Sequence, residues 1–207
     1  MSAPTPQVTF AVWSDFLCPW CYVAATRIHE LQQNVGDILR VEWRSFLLRP
    51  EPKDRTLEQF RRYTQSWHRP AEAEPGAEFS YWEGDADPPS HSMPALIAGK
   101  AAATFGTDAF DRFHFALMRA YFAQNRTISD REVQLDVADQ VGLDATEFAA
   151  RLDASASAFE ADVVADHKAA LALGFAAVPT VVIDDEDVVT GALPLTAYSK
   201  IVARRAS

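Results

Sequence analysis

The sequence predicts an α/β protein in which a small sheet is interrupted by a large all-helical segment. Three observations predict it. An apolar strand leads into a helix and a second strand near the start; little strand signal follows from Thr56 to Gly174; β-branched runs return only after that point.

The first strand is Val8-Thr9-Phe10-Ala11-Val12-Trp13, short, apolar and β-branched as a buried strand should be. Tyr22, Val23, Ala25, Ile28 and Leu31 then recur at helical spacing, with Pro19 at the first helical position, where a missing N–H is no loss. Asn34 and Gly36 stop that pattern, and Ile38 to Leu48 reads as a second strand ended by Pro50 and Pro52. A strand, helix, strand order begins a parallel sheet with a crossover helix, and such sheets place ligand sites beyond the carboxyl ends of their strands.

In the middle of the chain, Thr56 to Trp67 reads as a helix ended before Arg69-Pro70. The Pro-, Glu- and Gly-rich stretch to Pro89 reads as a loop carrying Phe79, Tyr81 and Trp82, expected to pack on a neighbouring helix, with a substrate lid as the alternative. Helices are expected over residues 93–105, 108–124, 130–141, 144–153 and 155–173, with cap-like starts at Ser129-Asp130-Arg131-Glu132 and Asp144-Ala145-Thr146-Glu147. The stripe Phe110, Phe113, His114, Leu117, Tyr121 has the spacing of a core-facing helix side. Val178-Pro179-Thr180-Val181-Val182-Ile183, the acidic turn Asp184 to Asp187 and Val188-Val189-Thr190-Gly191 predict an antiparallel hairpin. Leu195 to Arg205 closes the chain as an amphipathic helix with basic residues in its last turn. A proline at the mouth of a strand marks an edge, a strand start or a cis bond.

The chemistry concentrates at Cys18-Pro19-Trp20-Cys21, which holds the only two cysteines in 207 residues. Cys18 falls at a helix N-terminus, where unpaired N–H groups and the positive end of the macrodipole stabilise a thiolate, so a low thiol pKa is expected. Cys21 lies one turn on, close enough to close a disulfide and more buried, which suits a resolving thiol. A purely stabilising disulfide across four residues would contribute only about 2 kcal/mol, little for a chain able to bury a sizeable core. Zinc would need two further ligands, and His29, His68, His91, His114 and His167 are scattered singly. Two inert buried thiols remain an alternative.

Composition bounds the partners. The net charge is −10, from nine Lys or Arg against seven Asp or Glu in residues 1–70 and ten against twenty-two in residues 71–207. That acidity argues against nucleic acid. The basic run Arg40, Arg44, Arg49, Lys53, Arg55, Arg61, Arg62 is interleaved with Glu42, Glu51, Asp54 and Glu58, as in a solvated, salt-bridged face. Met1-Ser2-Ala3-Pro4-Thr5-Pro6 lacks the basic segment and apolar run of a signal peptide, and no run is long enough to span a bilayer. A cytoplasmic location with no membrane partner is expected, where a lone CxxC is better read as catalytic or redox-sensing than as structural.

The residues Ser14-Asp15-Phe16-Leu17-Cys18-Pro19-Trp20-Cys21-Tyr22, the segment from Ala120-Tyr121-Phe122 to Gly142-Leu143-Asp144, and Gly174 to Thr180 with Gly191 carry a resemblance over nearly the whole chain. It resembles the thioredoxin-fold disulfide oxidoreductases of the DsbA class, in their FrnE-like branch, related to 2-hydroxychromene-2-carboxylate isomerases and kappa-class glutathione transferases. The resemblance implies a thioredoxin-like domain from residues 1–55 and 174–207 and a helical insertion domain over 56–173. It implies Cys18 as nucleophile, Cys21 as resolving thiol, Pro179 as a cis-proline, and a Val178 backbone that hydrogen-bonds an extended substrate. Pro19 and Trp20 would join that substrate surface. Trp20 stands where DsbA carries histidine, which implies a weaker oxidant.

The function so implied is thiol–disulfide exchange on disulfide- or thiol-containing proteins or small molecules. It needs no metal or organic cofactor, with glutathione as a conceivable reductant or co-substrate and a homodimer left open. The alternatives are a glutathione-dependent isomerase or transferase of the same superfamily and a chaperone-like binding protein without catalysis.

Overall fold

The computed structural model describes residues 8–53 and 55–206; Met1 to Pro6 and Asp54, used above in the leader and charge arguments, lie outside the described residues. Strand β1 is Val8–Ser14, helix α1 Pro19–Val35 and strand β2 Leu39–Ser45. Helices α2 (Leu57–Thr64), α3 (His68–Ala73), α4 (Met93–Ala103), α5 (Thr107–Phe122), α6 (Arg131–Gln140) and α7 (Ala145–Ala172) follow. Strands β3 (Thr180–Ile183) and β4 (Asp187–Thr190) and helix α8 (Leu195–Arg205) complete the chain.

The sheet has the order β2-β1-β3-β4. β1 and β2 are parallel, pairing Val8 with Leu39 and Ser14 with Ser45, while β3 runs antiparallel to β1 and to β4. Side chains alternate across the sheet, so the two faces bury different sets. Phe10, Val12 and Val181 pack with Ile28 and Leu31 of α1 and Tyr198 and Val202 of α8. Ala11, Trp13 and Val182 pack on the other face with Phe46, Ala170 and Phe175. A third and larger cluster joins Phe16, Leu17, Cys18, Cys21 and Tyr22 to Trp67, Trp82, Phe113, Tyr121 and Phe122 of the helical segment.

Several boundaries differ from the sequence expectation. The second strand stops at Ser45, earlier than Leu48, because it pairs only as far as β1 reaches. The helix over Thr56–Trp67 does not end before Arg69-Pro70: a 3-10 turn at Gln65–Trp67 leads into α3, with Pro70 inside it. Pro70 is the third residue of α3, and N–H groups in a first turn have no partner within their own helix to lose. The two helices expected over 144–153 and 155–173 are one, α7, of 28 residues. The run Asp153-Ala154-Ser155-Ala156 contains neither Gly nor Pro to break it. Of the other signals, Gly36 takes φ +57° just after α1 and the Asp144 side chain caps α7 by accepting the Glu147 N–H at 2.8 Å, whereas Asp130, at the N-cap of α6, makes no side-chain cap hydrogen bond.

In the loop before α4, Trp82 is buried against Phe60 and Tyr121, and Phe79 packs on Tyr22, Trp67 and Phe122, whereas Tyr81 is exposed. Of the basic run, Arg40 and Arg44 pair with Glu42, Arg62 with Glu58 and Arg61 with Asp85. Arg49 and Arg55 instead lie over the Tyr63 ring, 6.0 and 5.0 Å from its centroid.

Candidate active site

The cysteine pair stands where β1 gives way to α1. Cys18 is the N-cap of α1, with extended backbone (φ −93°, ψ 115°), and Pro19 is the first helical residue. The Cys18 N–H donates to the Asp15 carbonyl at 3.1 Å, and the Cys18 carbonyl accepts the Cys21 N–H at 3.0 Å. This tight turn puts both thiols at one end of the helix. Both are free, Cys18 at 6% exposure and Cys21 at 0%, the expected ranking. Trp20, between them, is 39% exposed.

From the far end of the chain, the Val178–Pro179 bond is cis, and the Cys18 thiol donates to the Val178 carbonyl at 3.5 Å across 160 positions of sequence. The Pro179 carbonyl in turn accepts the Gly191 N–H at 2.7 Å, beside the Thr180–Thr190 pair of the β3–β4 hairpin. The structure thus brings together Cys18, Cys21, Pro19, Val178 and Pro179, with Trp20 exposed beside them.

Asp15 braces the turn. Its carboxylate accepts the Leu17 N–H at 2.7 Å and the Leu48 N–H at 2.8 Å, tying the cysteine turn to the segment after β2. Burial raises its pKa, opposed by the Ser92 hydroxyl, the two N–H groups and the Arg49 charge. Ser92 in turn accepts the Arg49 N–H at 2.9 Å. Burial also pushes the Cys21 thiol well up, and the adjoining Cys18 thiol adds to the rise. The Asp15 N–H and the Ser14 hydroxyl act in the opposite direction.

Sequence reasoning gave Ser14 and Asp15 no role beyond the resemblance. Their signal was a pair of adjacent polar residues at and just past the end of a largely apolar strand, three residues before Cys18. Phe113, His114, Leu117 and Tyr121 form the buried side of α5, as expected of that stripe, and Phe110 is half-buried. Among the described residues, no group of three or more His, Cys, Asp or Glu is placed to hold a metal ion, and no helix is long and apolar enough to cross a membrane.

A DSBA-like thioredoxin domain model matches residues 9–203. The chain belongs to this DsbA-like family. Solved structures share its fold. One, described as a probable DsbA oxidoreductase from Streptomyces coelicolor, is 28% identical, covers 96% of this chain and 90% of its own, and superposes with a TM-score of 0.73. The cytosolic disulfide reductase DsbM from Pseudomonas aeruginosa, solved with GSH, is 22% identical with a TM-score of 0.74, covering 96% and 95%. A 2-hydroxychromene-2-carboxylate isomerase is 18% identical with a TM-score of 0.70, covering 95% of each chain. The family is one of thiol–disulfide oxidoreductases, and an isomerase is among its structural neighbours.

Proposed function

We propose that this chain exchanges disulfides with protein or small-molecule substrates through Cys18 and Cys21. The supporting observation is the stacking of roles along one line. An N-capping cysteine touches the carbonyl that precedes the cis-proline, and a second, fully buried cysteine lies one turn behind it. Cys18 attacks a substrate disulfide, the mixed disulfide forms, and Cys21 displaces the substrate from Cys18. Pro19, Trp20, Val178 and Pro179 form the surface on which the substrate lies. Reduction in the cytoplasm is the direction proposed, with glutathione as a reductant and no bound cofactor. Helices of the 56–173 segment serve as the insertion domain that walls the site.

A disulfide-reduction assay tests this. Wild type should turn over, Cys18→Ser should be inactive, and Cys21→Ser should accumulate the mixed disulfide. No turnover by wild type, with no reversible Cys18–Cys21 disulfide in a redox titration, overturns the reading. The GSH-bound and isomerase neighbours favour one second reading, a glutathione-dependent isomerase or transferase; its activity would survive Cys18→Ser, since a hydroxyl can hold the glutathione thiol. A chaperone-like binding protein would be indifferent to either substitution.

A further inference from the structure

The resolving step raises a difficulty that the cysteines alone do not answer. Cys21 must become a thiolate in a fully buried position, where burial and the neighbouring Cys18 both oppose charge. The groups facing it are the Cys18 thiol at the helix cap, the Asp15 N–H and Ser14 hydroxyl at the end of β1, and Tyr198 on α8, whose own ionisation Cys21 opposes. None is a carboxylate or an imidazole.

Ser14 is unusual among them. It is 5% exposed, and its Oγ is buried without an aligned hydrogen-bond partner among the described residues, although the Cys21 thiol lies against it. An unsatisfied buried hydroxyl costs about 1–3 kcal/mol, so its retention here calls for an explanation. The same residue lines a cleft of about 210 Å³, open on one side, which it shares with Ser45, Trp43, Lys100, Asp111 and His114. The cleft is roomy and polar enough to admit water, at about 30 Å³ a molecule.

We propose that Ser14 is a catalytic residue of the resolving step, its hydroxyl donating to the Cys21 thiolate together with the Asp15 N–H. The inference rests on the exchange reaction proposed above. In that step the Cys21 S–H gives its proton to water by way of the cleft, and the Ser14 O–H turns to the sulfur left behind. The Cys21 electron pair forms the Cys18–Cys21 bond while the bond from Cys18 to the substrate sulfur breaks. The substrate sulfur leaves with the electron pair of the broken bond and takes a proton from solvent, so the protein dithiol is oxidised and the substrate disulfide reduced. The hydroxyl is unpaired in the resting dithiol because its partner is the anion, and a donor already in place costs no reorganisation when the charge appears.

Ellman's reagent separates the two steps in a single turnover. Attack by Cys18 releases a first thionitrobenzoate, and resolution by Cys21 releases the second. Ser14→Ala should leave the first release unchanged and slow the second about 10- to 100-fold, as expected for one hydrogen bond to a charged group. The pH midpoint of the second release should rise by about one to two units, and Ser14→Thr should restore it. Thermal stability of Ser14→Ala should be equal to or above wild type, since the lost group has no partner. A second release at the wild-type rate, both releases slowed alike, or a fall in stability matching the fall in rate overturns the role. A wild type with no second release refutes instead the exchange reading on which it rests.

Discussion

At His114 burial decides the protonation state. The ring is stacked on Phe110, edge-on to Phe16 and 4.3 Å from the Trp43 ring, and burial lowers its pKa to about 3. Folding therefore favours the neutral form. Between the unfolded value near 6.5 and the folded value near 3, the unfolded chain binds a proton that the native protein refuses. Stability should be fully present above pH of about 6.5 and fall by about 1.4 kcal/mol per pH unit below it. Urea titrations of wild type and His114→Phe across that window should show a steeper loss in wild type; parallel slopes would contradict the assignment. Spacing alone placed His114 on a core face and marked Cys18 and Cys21 as a candidate redox pair. That Val178 and Pro179 belong to the same site as the cysteines was legible only through the resemblance, since nothing local links positions so far apart in sequence, and the direct contact of the Cys18 thiol with the Val178 carbonyl was not legible at all. The bracing by Asp15 was not legible, because its partners are main-chain N–H groups, which every residue but proline carries.

Start signals were read more reliably than ends: Pro50, Pro52 and Pro70 did not mark where β2 and the helical run after α2 stop, and nothing in the sequence marks the middle of α7. Asp144 announces the start of α7, yet Ala and Ser in its middle neither break nor mark a helix, so its continuity depends on what it packs against. Ala154 is exposed in the middle of α7. Ala154→Pro should cost about 3 kcal/mol or more in a denaturant titration, the cost of proline inside a helix; a near-neutral result would mean that the two-helix reading was right. One buried side chain ties α1 to the elements packed beside it. Arg27 is 7% exposed and donates to the carbonyls of Ala73, Ala192 and Leu193 and to Glu74 at 2.8 Å, joining α1, α3 and the approach to α8. Arg27→Met should cost about 3–5 kcal/mol by leaving Glu74 and three carbonyls without their donor, and Glu74→Gln in that background should recover part of the loss.

On the scale of the whole molecule, the hydrophobic cluster that contains Cys18, Cys21 and Tyr22 also contains Trp67, Tyr121 and Phe122 from the helical segment. Tyr22 stacks on Phe122 at 5.4 Å. Unfolding should accordingly be a single transition by calorimetry and by circular dichroism; two separated transitions would show that residues 56–173 stand alone. Helix α7 extends that unity along its length. At its beginning Phe148 packs on Phe113, 5.2 Å between ring centroids, and near its end Asp166 accepts the Ser45 N–H at 3.0 Å and the Trp13 indole N–H at 3.1 Å. Twenty-eight helical residues make a rod of about 42 Å fastened to the helices at one end and to the sheet at the other. The end of the sheet from which the cysteine turn departs is thus held by the same rod that holds the helices. In the exchange proposed above, pliancy is left to the guest: a disulfide on a slack, extended chain could be drawn down to the Cys18 sulfur, while the same bond locked in a compact domain would have to loosen first.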